Sequence, residues 1–361
     1  MKQLPSQPTI GLVLAGGGAK GAYQVGALRY LAEQGFEPTV IAGTSIGALN
    51  GALLAAYPQS LEVGVAHLQK VWRAIGKAEV PAANPHWWAT LAAYGMQVAL
   101  RDVSPWLIRL LEVTGILPQC RSFFDPRPIE EIIRHEVDYQ RIKYGRELWI
   151  TVFPSFQLPF LRNPLLQPLI DQSRAWFGTQ ADWLRAQDCP DAETFTNLLL
   201  ASAAVPYLFP HREVKGQVYV NGALADNVPL RALARRGCTH AIVIHLEDGF
   251  HGWSRYEFPE MQIIEIRPQR LLNESNTVIV GNIQSLLDFR PERLQALEAQ
   301  GYADAQYIIE DIFGLLNSLE RCHEQHRRLE ESTRRLQQRS DRLQANTEQL
   351  RRFLESKDPQ N

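Results

Sequence analysis

Two short stretches carry residues that could do chemistry together. Residues 43–47 read GTSIG, a serine between glycines, directly after an apolar run and directly before a helical pattern. In a sharp strand-to-helix turn, small flanking residues let the backbone strain so that the Ser45 hydroxyl faces outward. The N-terminus of the following helix favours negative charge beside it. That is the setting of a nucleophile; the plainer reading makes Ser45 a helix cap and the glycines turn residues. Residues 12–28, LVLAGGGAKGAYQVGAL, place Gly16, Gly17 and Gly18 after another apolar run. Gly16, Gly18 and Gly21 also satisfy the G-x-G-x-x-G fingerprint that cradles a dinucleotide. Two details weigh against a nucleotide. Such a site wants a carboxylate at the end of the second strand, where this chain has Gly43, Thr44 and Ser45, and Lys20 is followed by Gly21 rather than the Ser or Thr of a P-loop. If the two strands are parallel neighbours, both turns open on one edge of the sheet. The amide hydrogens of the glycine loop can then surround the oxyanion formed when Ser45 attacks a carbonyl. Glycine suits that role because the backbone itself must approach the reacting atom.

A serine nucleophile needs a base. Among nine histidines only His245, with Asp226 before it, gives the order Ser–Asp–His of α/β-hydrolases. A nucleophile at position 45 leaves room for only two strands upstream, which fits that fold poorly. The histidine in AIVIHL reads as a core residue.

The elements that must position these residues alternate between strand and helix. Strands are predicted at 9–14, 39–43, 148–153, 217–220, 241–246 and 262–266, with helices at 19–34 and 46–57. The pattern predicts an α/β fold, a mostly parallel central sheet sandwiched by helices. A domain over residues 1–312 would close with a helix from Pro291 towards Phe313, interrupted near Gly301. Two tryptophan-rich excursions, about 60–146 and 154–190, hold Trp72, Trp87, Trp88, Trp106, Trp176 and Trp183. They read as packing on the sheet, with a cap over a pocket or a membrane-touching surface as alternatives.

Composition narrows the classes. The chain has 361 residues, 45% hydrophobic and 21% charged, with a net charge of −2, which argues against a dedicated nucleic-acid binder. Its four cysteines form no C-x-x-C pair, which argues against a disulfide framework or zinc site and fits a reducing compartment. No apolar run reaches the ~18 residues of a spanning helix, and the N-terminus lacks the order of a signal peptide, so a cytoplasmic protein is expected. From Leu315 glycine disappears, and Leu329, Leu336, Leu343 and Leu350 recur every seventh residue, with His326, Thr333, Ser340 and Thr347 between them. The tail, residues 313–361, is predicted as a heptad helix of about 40 residues, ~60 Å long, whose leucine stripe needs a partner, another copy or its own domain, and whose half-polar seam favours a weak coiled coil.

Taken together, GGGAKG (16–21), GTSIG (43–47), ASAAVPYLFP (201–210) and NGALADNVP (221–229) resemble the patatin-like phospholipase family, in the family's order, over about residues 9–312. The resemblance implies a three-layer fold and a peripherally membrane-acting serine lipid acyl hydrolase with a Ser–Asp dyad. It implies no metal or cofactor, and an acyl-ester substrate such as a glycerophospholipid. Ser45 matches the nucleophile and Gly16, Gly17 and Gly18 the oxyanion loop. One position departs: the family's base is the aspartate of a D-G-[GA] turn, and here the turn reads Asn221-Gly222-Ala223. An amide cannot take up a proton as a carboxylate does, so weak or absent activity is expected. Three accounts stay open: an introduced exchange that stops turnover, a natural pseudoenzyme that still binds lipid, or a displaced or regenerated base, through Asp226 or deamidation of Asn221-Gly222. The rival from another class is a non-catalytic lipid-binding or oligomeric scaffold.

Overall fold

The computed structural model describes residues 9–77, 127–157, 167–206, 209–247, 257–272, 286 and 288–355. Trp87, Trp88 and Trp106 lie outside them. Contacts divide the chain into two compact units, residues 1–306 and 307–361.

The first unit is built on one sheet of eight strands: β1 (Ile10–Leu14), β2 (Val40–Thr44), β3 (Glu147–Pro154), β4 (Asp182–Arg185), β5 (Arg212–Val214), β6 (Gln217–Asn221), β7 (His240–Ile244) and β8 (Gln262–Ile266). The order is β5-β6-β3-β2-β1-β7-β8, with β4 also paired to β3. The five strands from β3 to β8 are parallel, and β4, β5 and β6 join antiparallel. The predicted parallel sheet is therefore present, with antiparallel strands added at one side. The continuous apolar runs of β1, β2 and β7 reflect burial on both faces: Leu12, Val13, Leu14, Ile41, Ala42, Val243 and Ile244 have no exposed surface.

Helices cover those faces. They are α1 (Gly21–Glu33), α2 (Ile46–Ala55), α3 (Leu61–Lys77), α4 (Arg127–Glu136), α5 (Tyr139–Lys143), α6 (Gln167–Trp176), α7 (Ala192–Ala203), α8 (Leu230–Arg236) and α9 (Pro291–Glu355). Successive side chains of a strand point to opposite faces. The Gly11 position of β1 abuts Leu233 of α8, whereas Leu14 faces Gly51 of α2, so α2 and α8 lie on opposite sides of the sheet. The three layers follow.

Two expectations need correction. The last helix is not interrupted near Gly301; α9 runs unbroken from Pro291 to Glu355. Gly301 instead permits contact: a Cβ there would lie 1.9 Å from the carbonyl oxygen of Tyr23 on α1, and one at Gly26 would lie 1.8 Å from that of Glu298. His245 lies just past β7 rather than within it.

Candidate active site

Ser45 occupies the single residue between β2 and α2, at φ 55° and ψ −121°. Among the described residues only Lys215 is another non-glycine at positive φ, and strain of this kind persists only where the surroundings over-determine it. Those surroundings are evident. A Cβ at Gly43 would lie 2.5 Å from the Gly47 carbonyl, and one at Gly47 would lie 2.1 Å from the Leu14 oxygen of β1. Both flanking positions admit no side chain, so the G-x-S-x-G spacing is a packing requirement of the turn.

Two further elements grip the turn. The Ser45 amide donates to the Ser202 hydroxyl at 2.8 Å. That hydroxyl, fully buried near the C-terminal end of α7, donates in turn to the Thr151 carbonyl of β3 at 2.7 Å. The Asn221 amide donates to the Ala204 carbonyl just past α7 at 3.0 Å. One helix end thus fixes the backbone on both sides of the site, at Ser45 and at position 221.

Asn221 closes β6, buried to 3% exposure, and its side chain meets Ser45: Nδ2 donates to Ser45 Oγ at 3.2 Å. Its Oδ1 accepts from the Ala223 amide at 2.8 Å. This orientation is determined, since flipping the amide would set its NH₂ against the Ala223 N–H. A carboxylate in the same place could accept at both oxygens, one from Ala223 and one from the Ser45 hydroxyl. With asparagine the bond runs the other way, towards the serine oxygen.

The glycine loop lies beside Ser45: a Cβ on Gly16 would be 3.3 Å from Ser45 Cβ. The Gly16 amide, however, already has partners. It donates to Asn227 Oδ1 at 3.1 Å, and Asn227 Nδ2 returns a bond to the Gly16 carbonyl at 3.3 Å. That two-way clamp ties the glycine loop to the segment that follows position 221. The amides of Gly17 and Gly18 donate to no described group, and they open the short 3-10 turn Gly18–Lys20. Behind the loop, a buried chain of amides braces three helices: Gln24 donates to the Ala15 carbonyl at 2.8 Å, Asn50 to Gln24 at 2.9 Å, and Trp72 to Asn50 at 2.9 Å.

The residues of the Ser–Asp–His alternative are engaged with other groups. Asp226 accepts from Trp183 Nε1 at 2.9 Å. Burial pushes its carboxyl up to about 6, opposed by the Trp183 hydrogen bond and by Arg231. His245, 2% exposed, pairs with Glu265 at 3.1 Å and, with Arg267, holds that carboxyl at about 2. These contacts of Asp226 and His245 are with Trp183 and Glu265, and His245 is buried, as its sequence context suggested. Ser202, Ala204 and Asn227 carry no sequence signal of their own, although ASAAVPYLFP and NGALADNVP contain them.

A family model described as patatin-like phospholipase matches residues 12–234. Mouse patatin-like phospholipase domain-containing protein 7 is 63% identical over 167 residues, 44% of this chain and 11% of that protein. An uncharacterized NTE family protein of Mycobacterium bovis is 24% identical over 285 residues, 78% of this chain and 61% of that protein. The chain thus spans less than two thirds of the length of either relative. Among solved structures, human GIVD cytosolic phospholipase A2 superposes with a TM-score of 0.38 at 10% identity, over 85% of this chain and 63% of that one.

Proposed function

Because the chain belongs to the patatin-like phospholipase family, we propose that its site is that of a cytoplasmic serine lipid acyl hydrolase acting peripherally at membrane surfaces on glycerophospholipid or related acyl esters. Ser45 Oγ attacks the ester carbonyl carbon, and the carbonyl oxygen takes the negative charge between the Gly17 and Gly18 amides, with Gly16 holding the loop against Ser45. A carboxylate at 221 would accept the serine proton and pass it to the departing alcohol, leaving an acyl-enzyme. It would then deprotonate the water that releases the fatty acid. Asparagine cannot perform either transfer. The loss of a general base lowers the rate by ~10²–10⁴, roughly 3–5.5 kcal/mol of barrier.

One observation carries this reading: a strained Ser45, between glycines that admit no Cβ, in hydrogen-bond contact with the side chain of residue 221. Hydrolysis of a p-nitrophenyl acyl ester by the chain and by its Asn221→Asp form tests it. The aspartate form should be faster by about 10²–10⁴-fold. Equal rates in the two forms would remove the dyad.

The donor bond from Asn221 Nδ2 to Ser45 Oγ favours a second reading, a lipid-binding scaffold without turnover. In that case the Asn221→Asp form would release no fatty acid from phospholipid vesicles either. In both readings the tail self-associates through the face that carries Leu329, Leu336 and Leu343, all exposed. Both readings also take contact with lipid as peripheral; no helix among the described residues is long and apolar enough to cross a membrane.

A further inference from the structure

The described tryptophans of the first unit differ in exposure. Trp72 and Trp183 are buried and Trp149 is half-buried, but Trp176 is 59% exposed and Phe177 beside it 91%. Phe156, 53% exposed, is a third large aromatic in the same part of the fold.

The topology places all three on one rim. β3 runs parallel to β2 with Thr151 opposite Thr44, so the C-terminal end of β3 lies on the same edge as the Ser45 turn. Phe156 follows that end, two residues past Pro154. β4 runs antiparallel to β3 with Asp182 opposite Val152, so the residues that precede Asp182 also lie beyond this edge. α6, which ends at Trp176, is fastened there: Arg174 donates to the Pro154 carbonyl at 2.6 Å, and the Phe156 amide donates to Asp171 at 3.1 Å. The Arg174 guanidinium lies 5.6 Å from the ring centres of Phe153 and Phe156. Asp171 itself is buried and also receives the Ser155 hydroxyl at 2.6 Å. A firmly held helix end therefore carries two aromatic side chains outward.

We propose that Phe156, Trp176 and Phe177 form a lipid-docking patch that sets the rim bearing Ser45 against a bilayer surface. Isolated exposed apolar residues are ordinary, but these three large aromatics are all exposed at one edge of the sheet, on segments tied together through Arg174 and Asp171. Tryptophan and phenylalanine are the side chains that settle at the headgroup boundary. The choice of a lipid surface as occupant rests on the hydrolase reading of the site: an enzyme whose nucleophile opens on this edge must bring the edge to an aggregated substrate.

Co-sedimentation of the full chain with phosphatidylcholine vesicles tests the patch. A Trp176→Ala/Phe177→Ala form, which leaves the Asp171 and Arg174 bonds in place, should lose vesicle affinity by about tenfold or more. Tyr144→Ala is the matched control, since Tyr144 is 79% exposed and precedes β3, at the opposite edge of the sheet. It should bind as the parent does. In the Asn221→Asp background, hydrolysis of a soluble short-chain p-nitrophenyl ester should be unchanged by the double substitution. Unaltered vesicle binding by the double variant, no vesicle binding by the parent, or an equal loss in Tyr144→Ala would each overturn the patch. Lost vesicle binding without ester hydrolysis in any form would leave the patch standing and remove the hydrolase.

Discussion

The two portions of α9 use the same secondary structure in opposite ways. In residues 291–306, Leu294, Leu297, Gly301 and Ala305 follow one another at spacings of three and four, with the three apolar side chains 6%, 1% and 0% exposed. That is the stripe of a helix lying on a globular core. In the tail, Leu329, Leu336 and Leu343 recur only every seventh residue and are 65%, 64% and 67% exposed. Apolar content alone does not separate the portions. What separates them is the residue that lies between successive heptad positions, Leu297 and Ala305 in the first portion and His326, Thr333, Ser340 and Thr347 in the second. Thr333 and Thr347 turn their hydroxyls onto the carbonyls of Leu329 and Leu343, at 2.9 and 2.7 Å. Their polar atoms are thereby satisfied along the helix. A strict seven-residue stripe drifts on a straight helix and is followed best by a partner that supercoils with it.

The contrast is sharpest at glycine. At Gly301 an alanine methyl would meet the Tyr23 carbonyl at 1.9 Å, backbone against backbone, and only separation of α1 from α9 can relieve it. Gly301→Ala should destabilise the first unit by roughly 3 kcal/mol or more, despite the better helix propensity of alanine. Denaturant unfolding checks this, and a neutral result would mean the helices are not in contact. The tail responds to a different change. Leu336→Asn/Leu343→Asn should reduce self-association about 100-fold, near 3 kcal/mol, while unfolding of the first unit is unaffected. Light scattering would read the mass of one 40.9 kDa chain at concentrations where the parent reads a multiple. Cys322 shares the leucine register, so in a parallel pair its thiol meets its copy, and diamide should link two chains.

Gly301 also shows where the sequence was legible and where it was not. A glycine in a helical pattern reads as a break, because the sequence does not display the neighbouring backbone that makes the missing Cβ useful. Ser45 and Gly16 to Gly18 could be singled out because their spacing is that of a local turn, where each residue's neighbours are also its neighbours in sequence, whereas position 221 was singled out only by the family resemblance. Ser202 was not: one serine in an apolar helix carries no pattern, and its partners, Ser45 and Thr151, lie 157 and 51 residues away. The same holds for Asn227, which occupies the Gly16 amide and so narrows the expected oxyanion donors to Gly17 and Gly18. The strands β4 and β5, of four and three residues, are too short to show a period.

Burial separates the charges of the two units as well. Asp226 is raised to about 6 by desolvation, whereas the tail's acids face solvent beside arginines, as Glu324 does with Arg328 at 3.0 Å. The folded chain holds a proton on Asp226 between about pH 4 and 6 that the unfolded chain releases, so its contribution to stability falls as pH rises through that window. The penalty is complete above about pH 6. Asp226→Asn keeps an acceptor for Trp183 and removes the charge. It should stabilise the first unit by about 1–3 kcal/mol at pH 7 and leave pH 4 nearly unchanged. A variant whose unfolding keeps the parent's slope between those values would show that Asp226 is not desolvated.

The smallest effect is expected at Gly314, which lies beyond Ile309, the last buried position described on α9. An alanine methyl there would meet no atom within 4 Å. The substitution that breaks the first portion should here only exchange a poor helix former for a good one. Gly314→Ala should therefore strengthen the helix by about 0.5–1 kcal/mol, seen as slower amide exchange from about residue 310 to 318. The unfolding midpoint of the first unit should not move. Opposite signs at Gly301 and Gly314, thirteen residues apart on one helix, would establish that close approach and not helix propensity governs the packed portion. If both substitutions stabilised, the crossing of α1 and α9 at Gly26 and Gly301 would be looser than the 1.8 and 1.9 Å left for a Cβ at those positions allows.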